Sequence, residues 1–103
     1  MININGIIWN IIFVSPYSNL LRRTDGSITV GMTDCNTRII YISDKVYGEF
    51  LRKVLCHELT HAYIFSYGIY LDIAQEEMVC DLLATYARDI IRITDEVYKR
   101  FSS

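Results

Sequence analysis

The sequence is poor in the residues that build disulfide-rich domains. It has three cysteines, Cys35, Cys56 and Cys80, and no two of them form a C-x-x-C pair. An odd number of widely spaced cysteines does not fit a secreted disulfide framework and suits a reducing compartment better. We therefore expect three free thiols and a cytoplasmic protein.

A strong basic field and a long apolar run are also missing. The formal net charge is −2 at pH 7 and the lysines and arginines are scattered, which argues against binding through nucleic-acid phosphates. The apolar stretch at residues 7–14 is interrupted by Asn10, follows no basic segment, and is far shorter than the roughly 20 residues of a membrane span. We expect neither a nucleic-acid partner nor a membrane partner.

What the chain does have is enough apolar material for one core. Of its 103 residues, 51% are hydrophobic, as in folded globular proteins. The length is too short for two ordinary domains, and no repeat, linker or low-complexity segment divides it. We expect a single domain over residues 1–103.

Four short segments in the first half are rich in β-branched and aromatic residues and predict strands: residues 2–4, 7–14, 27–32 and 38–42. Asn5-Gly6 is a tight-turn dipeptide, so the first two segments form either a small hairpin or a single long strand. Asp25-Gly26 is a second turn signal ahead of the third segment. Residues 17–23 form a short helix or an irregular loop.

From residue 47 the apolar residues recur at steps of three and four. This pattern predicts a long helix from Tyr47 to Tyr67, with Gly68 at its C′ position. With the strands that precede it and a second helix that follows, the predicted fold class is α+β. A small N-terminal sheet, antiparallel or mixed, packs on this helix and on the C-terminal helix.

The second helix has its own start signal. Asp72 can cap a helix that begins near Ile73, and Gln75 completes an approximate capping box. The pattern leaves open whether this helix runs unbroken to Phe101 or restarts at Thr94.

The most informative feature lies on the first helix. The only two histidines form the motif His57-Glu58-Leu59-Thr60-His61. On a helix this spacing puts both imidazoles on one face, about 6 Å apart along the axis, so both can bind one zinc ion. H-E-x-x-H is the signature of zinc peptidases.

A third ligand is needed, because a catalytic zinc site commonly has three protein ligands and one open position. A short connection sets two helices antiparallel, which brings the acidic segment at residues 75–81 alongside the histidines. Helical periodicity favours Glu77, with Glu76 as the main alternative, rotated by about 100°. Asp81, one turn beyond Glu77, is then placed to accept a hydrogen bond from a ligand histidine, His57 in the first instance.

Glu58 has a different role in this interpretation. It points about 100° around the helix from the ligands and faces the open coordination position. There it can act as general base toward a zinc-activated water, in a reaction that hydrolyses a peptide bond.

The paired motifs H-E-L-T-H at 57–61 and Glu77-x-x-x-Asp81, with Leu83-Ala84 following, resemble those of the gluzincin metallopeptidases. Among these they resemble the small ImmA/IrrE-type proteins of bacteria, phages and mobile elements. The resemblance covers mainly Lys53 to Ala84. It implies a minimal zincin-like domain, a zinc ion held by two histidines and the glutamate of the second motif, and a protein substrate such as a repressor.

Substrate binding in zincins involves an exposed strand edge that pairs with an extended peptide. The segments 28–32 and 38–42 are the two candidates, and we favour the first. A tyrosine can stabilise the oxyanion, and the sequence leaves four candidates open: Tyr63, Tyr67, Tyr70 and Tyr86.

An alternative hypothesis comes from another functional class. A domain this small has little wall for a deep cleft, so the chain could be a zincin-like module that binds a regulator, with the metal structural or absent. Cys56 and Cys80 flank motif residues, but single helical neighbours point elsewhere, and we interpret both as small buried hydrophobes.

Overall fold

The chain, described over residues 1–102 by a computed structural model, combines a four-stranded mixed sheet with two helices. The elements are β1 (Ile2–Ile4), β2 (Ile7–Val14), a 3-10 turn (Asn19–Leu21), β3 (Gly31–Asp34), β4 (Ile39–Ser43), α1 (Gly48–Ser66) and α2 (Ile73–Phe101). This architecture confirms the predicted α+β fold class.

The strand order in the sheet is β1-β2-β4-β3. β2 and β4 are parallel, whereas β1 pairs with β2 and β3 pairs with β4 in antiparallel fashion. Asn5 and Gly6, with φ of 51° and 83°, both adopt the left-handed conformation that a two-residue hairpin turn requires. The N-terminal segment is therefore a hairpin. The strand order places β4 inside the sheet and β3 at one edge.

The third strand lies later in the chain than its sequence pattern predicts. Residues 27–32 were expected to form it, but the ladder covers Gly31–Asp34. Ile28 instead forms an isolated bridge with Arg22, and the Thr29 N–H donates to the Leu21 carbonyl at 2.9 Å. Ile28 and Thr29 thus pair their backbone with the segment around the 3-10 turn and not with β4.

The core lies between the sheet and α1. Its buried members come from β1, β2, β4 and α1: Ile4, Trp9, Ile40, Ile42, Val54 and Ala62. Trp9 is fully buried, and its indole N–H donates to the Ser66 hydroxyl at 2.8 Å, which satisfies the one polar group of the ring. This contact fixes the C-terminal end of α1 over the hairpin.

Local signals end α1 and start α2 where the sequence predicts. Gly68 has φ of +62°, its N–H donates to Phe65, and the N–H of Ile69 donates to Ile64, which together form a Schellman motif. Asp72 and Gln75 form the predicted capping box.

The short connection places α2 antiparallel on α1, and α2 runs unbroken to Phe101. Within residues 1–102 no helix is both long and apolar enough to cross a membrane.

Candidate metal centre

The two histidines meet one carboxylate of α2. Their rings lie one turn apart on α1, with centroids 5.0 Å apart. His57 Nε2 lies 3.2 Å from Glu77 Oε2, and His61 Nε2 lies 3.0 Å from Glu77 Oε1. Three side chains that the sequence assigned to one site are therefore in contact across the helix pair.

The other nitrogen of each ring faces a second carboxylate. His57 Nδ1 is 3.0 Å from Asp81 Oδ1, and His61 Nδ1 is 2.5 Å from Glu76 Oε2. Asp81 thus contacts the histidine to which the sequence assigned it. Glu76, the alternative to Glu77, contacts Nδ1 of His61, whereas Glu77 contacts Nε2 of the same ring. The two glutamates therefore bind opposite sides of the His61 ring.

This arrangement favours a positive charge between the rings and Glu77, carried either by a second proton on each ring or by a bound cation. A neutral imidazole has one N–H, so it can donate to a carboxylate from one nitrogen only. In both histidines each of the two nitrogens faces a carboxylate oxygen. If the Nδ1 atoms donate to Asp81 and Glu76, the Nε2 lone pairs point at Glu77, an unfavourable contact that a bound cation would make favourable.

The charge of the site also favours a cation. Four carboxylates, those of Glu58, Glu76, Glu77 and Asp81, approach the two imidazoles within 4.0 Å. Within residues 1–102 no lysine or arginine forms an ion pair with any of them. Carboxylates this close repel one another, and a divalent ion is the usual way to offset such a cluster.

Two distances in the site are close to those between ligands of a small tetrahedral ion. For bonds of roughly 2.0–2.1 Å, the ligand atoms of a tetrahedral site lie about 3.3 Å apart. The observed contacts of 3.0 and 3.2 Å between Nε2 atoms and Glu77 are close to that separation. Donor atoms of His57, Glu77 and Asp81 also lie within 4.8 Å of one another, so this group of residues could hold a metal ion.

Glu58 lies beside this group rather than in it. Its Oε2 is 4.0 Å from His57 Nε2, and the side chain is mostly buried. The Thr33 hydroxyl lies 2.9 Å from Glu58 Oε1 and 3.0 Å from the Glu58 carbonyl. A hydroxyl that binds Oε1 leaves Oε2 directed toward the histidines.

Thr33 was missed by the sequence analysis. It lies on β3, 25 residues before Glu58, and an isolated threonine in a strand has no motif that marks it. Its neighbour Gly31 explains how β3 comes so close: a Cβ there would lie 2.9 Å from Val54 Cγ1 and 3.0 Å from Glu58 Cγ. The absence of a side chain at Gly31 therefore lets the edge strand contact α1 beside Glu58.

Cys80 lies next to the histidines, contrary to the expectation that it points elsewhere. Its Sγ and one ring nitrogen from each of His57 and His61 are within 4.8 Å of one another, and the residue is fully buried. Because Cys80 follows Glu77 by three residues, the two share a helix face. Burial and then the nearby carboxylates of Glu77 and Glu76 raise the pKa of the Cys80 thiol to about 12.

An open cleft of about 710 Å³ lies over the site. Its walls include His57, His61 and Glu77, the edge strand from Gly31 to Asp34, and the basic pair Arg22 and Arg23. The four tyrosines considered for oxyanion stabilisation do not line it: Tyr63, Tyr67, Tyr70 and Tyr86. Each of them is at least half exposed elsewhere on the helices or in their connection.

No protein-family model matches the chain, and neither curated proteins nor solved structures give a match.

Proposed function

We propose that the chain is a small zinc-dependent endopeptidase of the gluzincin type, similar to the ImmA/IrrE proteins. The observation that carries the proposal is the set of contacts around the two imidazoles. Both Nε2 atoms face Glu77, while both Nδ1 atoms are held by further carboxylates. Histidines that bind metals commonly donate their other N–H to a carboxylate in this way.

The donor set supports zinc. Two imidazole nitrogens and one carboxylate oxygen form the set used by catalytic zinc sites, with a fourth position left for water. Hard ions such as Mg²⁺ prefer oxygen ligands and octahedral geometry, which two histidines on one helix face do not provide. His57, His61 and Glu77 would hold the ion, and Asp81 and Glu76 would orient the rings.

Glu58 supplies the acid–base chemistry in this proposal. Zinc, when bound, lowers the pKa of a water ligand toward roughly 7 and polarises a carbonyl. Glu58 Oε2, 4.0 Å from His57 Nε2, is near enough to accept a proton beside the histidines and deliver it to the leaving amine. Thr33 keeps the carboxylate in this orientation.

The edge of β3 supports an extended peptide as substrate. The Ser43 N–H donates to the Val30 carbonyl, so by the alternation of an antiparallel ladder the peptide groups of Gly31 and Thr33 point away from β4. They lie along the cleft and can pair with a peptide strand. The alternative edge, residues 38–42, is excluded because β4 is paired on both sides.

The resemblance makes a regulatory protein, such as a repressor in the cytoplasm, the substrate class we favour. The test uses the zinc-loaded chain with a peptide library prepared from bacterial proteins, and mass spectrometry identifies new termini. We expect cleavage by the wild type and none by Glu58→Gln, while both bind one zinc ion. Equal cleavage by the two proteins would overturn Glu58 as the base.

A second candidate is a zincin-like module that binds a regulator without cleaving it. One observation favours it: Cys80 offers a potential fourth protein donor beside the histidines, and a site with four protein ligands is typical of structural zinc. In that case the wild type binds one zinc ion but produces no new peptide termini in the same experiment. The Glu58→Gln variant then behaves like the wild type in both zinc binding and cleavage.

A further inference from the structure

We propose that Cys80 is a further ligand of the ion held by His57 and His61, and that its binding closes the position where water would otherwise bind. The inference rests on the metal-binding part of the proposed function. It does not rest on peptide cleavage.

The position of Cys80 carries the argument. Its Sγ lies within 4.8 Å of a ring nitrogen of each histidine, and the side chain has no exposure to solvent. In a tetrahedral site with zinc–sulfur and zinc–nitrogen bonds of about 2.3 and 2.0–2.1 Å, sulfur and nitrogen lie roughly 3.5 Å apart. Since the three atoms already lie within 4.8 Å of one another, a shift of side-chain torsions would bring them onto one ion.

Cys80 shares its helix face with Glu77, so both donors reach the same pair of rings. Cys80 is fully buried, whereas the Glu77 side chain is 49% exposed. The Glu77 carboxylate and the Cys80 sulfur would therefore both be available to an ion held by the histidines. If both bind, the ion has four protein ligands and no place for water.

The chemical balance of this step is simple. The thiol loses its proton to solvent, the sulfur–metal bond forms, and the metal–water bond breaks. A divalent ion deprotonates a thiol that binds it, so no oxidant or other reactant is needed. Molecules with sulfur bound would not cleave peptides, whereas molecules with Cys80 unbound would keep the water position near Glu58, so cleavage by the wild type would be slowed and not abolished. Cys80 would therefore act as an internal inhibitor.

Cobalt substitution tests this directly, because a thiolate bound to Co²⁺ gives a sulfur-to-cobalt charge-transfer band in the near ultraviolet that nitrogen and oxygen ligands do not give. The full chain is freed of metal, reduced, and titrated with Co²⁺ under anaerobic conditions. We expect the band in the wild type. It should disappear in Cys80→Ser and Cys80→Ala, while the visible bands of tetrahedral cobalt remain.

Cys56→Ser is the matched control. Cys56 precedes His57 directly but is rotated about 100° from it on α1 and is partly exposed, so its removal should leave the band unchanged. Since a buried cysteine can be needed for folding, X-ray absorption of the zinc-loaded wild type gives a second measurement that needs no variant. We expect a sulfur scatterer at about 2.3 Å.

The outcomes separate the two proposals. Visible cobalt bands without the charge-transfer band, or a band that survives in both Cys80 variants, overturn the role of Cys80 and leave the proposed function standing. If neither Co²⁺ nor Zn²⁺ binds, the metal centre itself is wrong and both proposals fail.

Discussion

At the scale of single residues, the proposed site includes two carboxylates that contact the histidines on the side away from Glu77. Asp81 contacts Nδ1 of His57, and Glu76 contacts Nδ1 of His61. Such partners fix the ring orientation and raise the basicity of the metal-binding nitrogen, and their loss commonly weakens metal binding by about 10–100-fold.

We therefore expect Asp81→Asn and Glu76→Gln each to weaken zinc binding by about 10–100-fold, because an amide orients the ring less strongly than a carboxylate. Competition with a chromophoric chelator measures the affinity. Glu49→Gln is the matched control, since Glu49 lies on the same helix as the histidines but pairs with Arg88 on the surface. An affinity equal to that of the wild type in both site variants would show that these contacts do not support metal binding.

Thr33 provides a second prediction at this scale. In Thr33→Val the shape of the side chain is kept, but Glu58 loses its hydrogen-bond donor, and hydrogen bonds to charged groups contribute about 1.5–3 kcal/mol. If Glu58 is the base, cleavage should fall about tenfold or more while zinc affinity changes little. Kinetics and chelator competition measure the two effects. Thr37→Val, on the exposed turn after β3, should change neither.

The residues of the site differ in how far the sequence could predict them. His57, Glu58 and His61 form a motif whose helical spacing determines their relative positions, so they were predictable. The choice between Glu77 and Glu76 depended on the rotation of α2 about its axis, which is set by packing on α1. The contacts of Thr33 with Glu58 and of Cys80 with the histidines are visible only in the tertiary structure, because no local sequence pattern indicates them.

At the scale of elements, β3 packs closely on α1, so the edge of the sheet lines the cleft together with His57 and Glu58. Gly31 permits this approach, since a Cβ at this position would be too close to Val54 and Glu58. The backbone of Gly31 does not have the positive φ of the other four glycines, so the constraint is steric alone.

Gly31→Ala should therefore destabilise the fold by about 1–3 kcal/mol, the usual range for an overpacked core. Urea unfolding measures the change. In the double variant Gly31→Ala/Val54→Ala the two effects should be less than additive, because the smaller residue 54 makes room for the new methyl group. Strict additivity, or a Gly31→Ala variant as stable as the wild type, would show that β3 moves away from α1 without penalty.

Most elements were predictable because their ends carry local signals. The Asn5-Gly6 turn, the Schellman motif at Gly68 and the Asp72 cap involve residues adjacent in the chain. β3 was misplaced because the residues before it, Ile28, Thr29 and Val30, are more β-branched than those within it. No local pattern indicates that the backbone of Ile28 and Thr29 pairs with Arg22 and Leu21 instead of continuing the sheet.

At the scale of the whole molecule, the core lies between the sheet and α1, and α2 is attached mainly to α1. Cys80 is the only buried residue among those of α2. The helix has 29 residues and a length of about 43 Å, against 19 residues in α1, so its C-terminal part extends beyond its partner. The apolar contact that holds α2 in place is thus small for a helix of its length.

The metal centre should therefore contribute much of the attachment of α2, because its ligands come from both helices. Zinc at 100 times its dissociation constant stabilises the folded state by about 2.7 kcal/mol if the unfolded chain does not bind it. For a domain of this size, this corresponds to a rise of roughly 10–20 °C in Tm. Hydrogen exchange should show the same effect locally, with slower exchange of α2 amides on addition of zinc and little change in β2 and β4.

Glu77→Gln is the control for this prediction, because it keeps the size of the side chain but removes the charge that links α2 to both histidines. We expect a smaller rise in Tm and little protection of α2 in this variant. If zinc protects α2 equally in both proteins, the ion does not join the helices through Glu77. If zinc protects α2 in neither, α2 is held by its packing on α1 alone, and a metal centre between the helices loses its structural support.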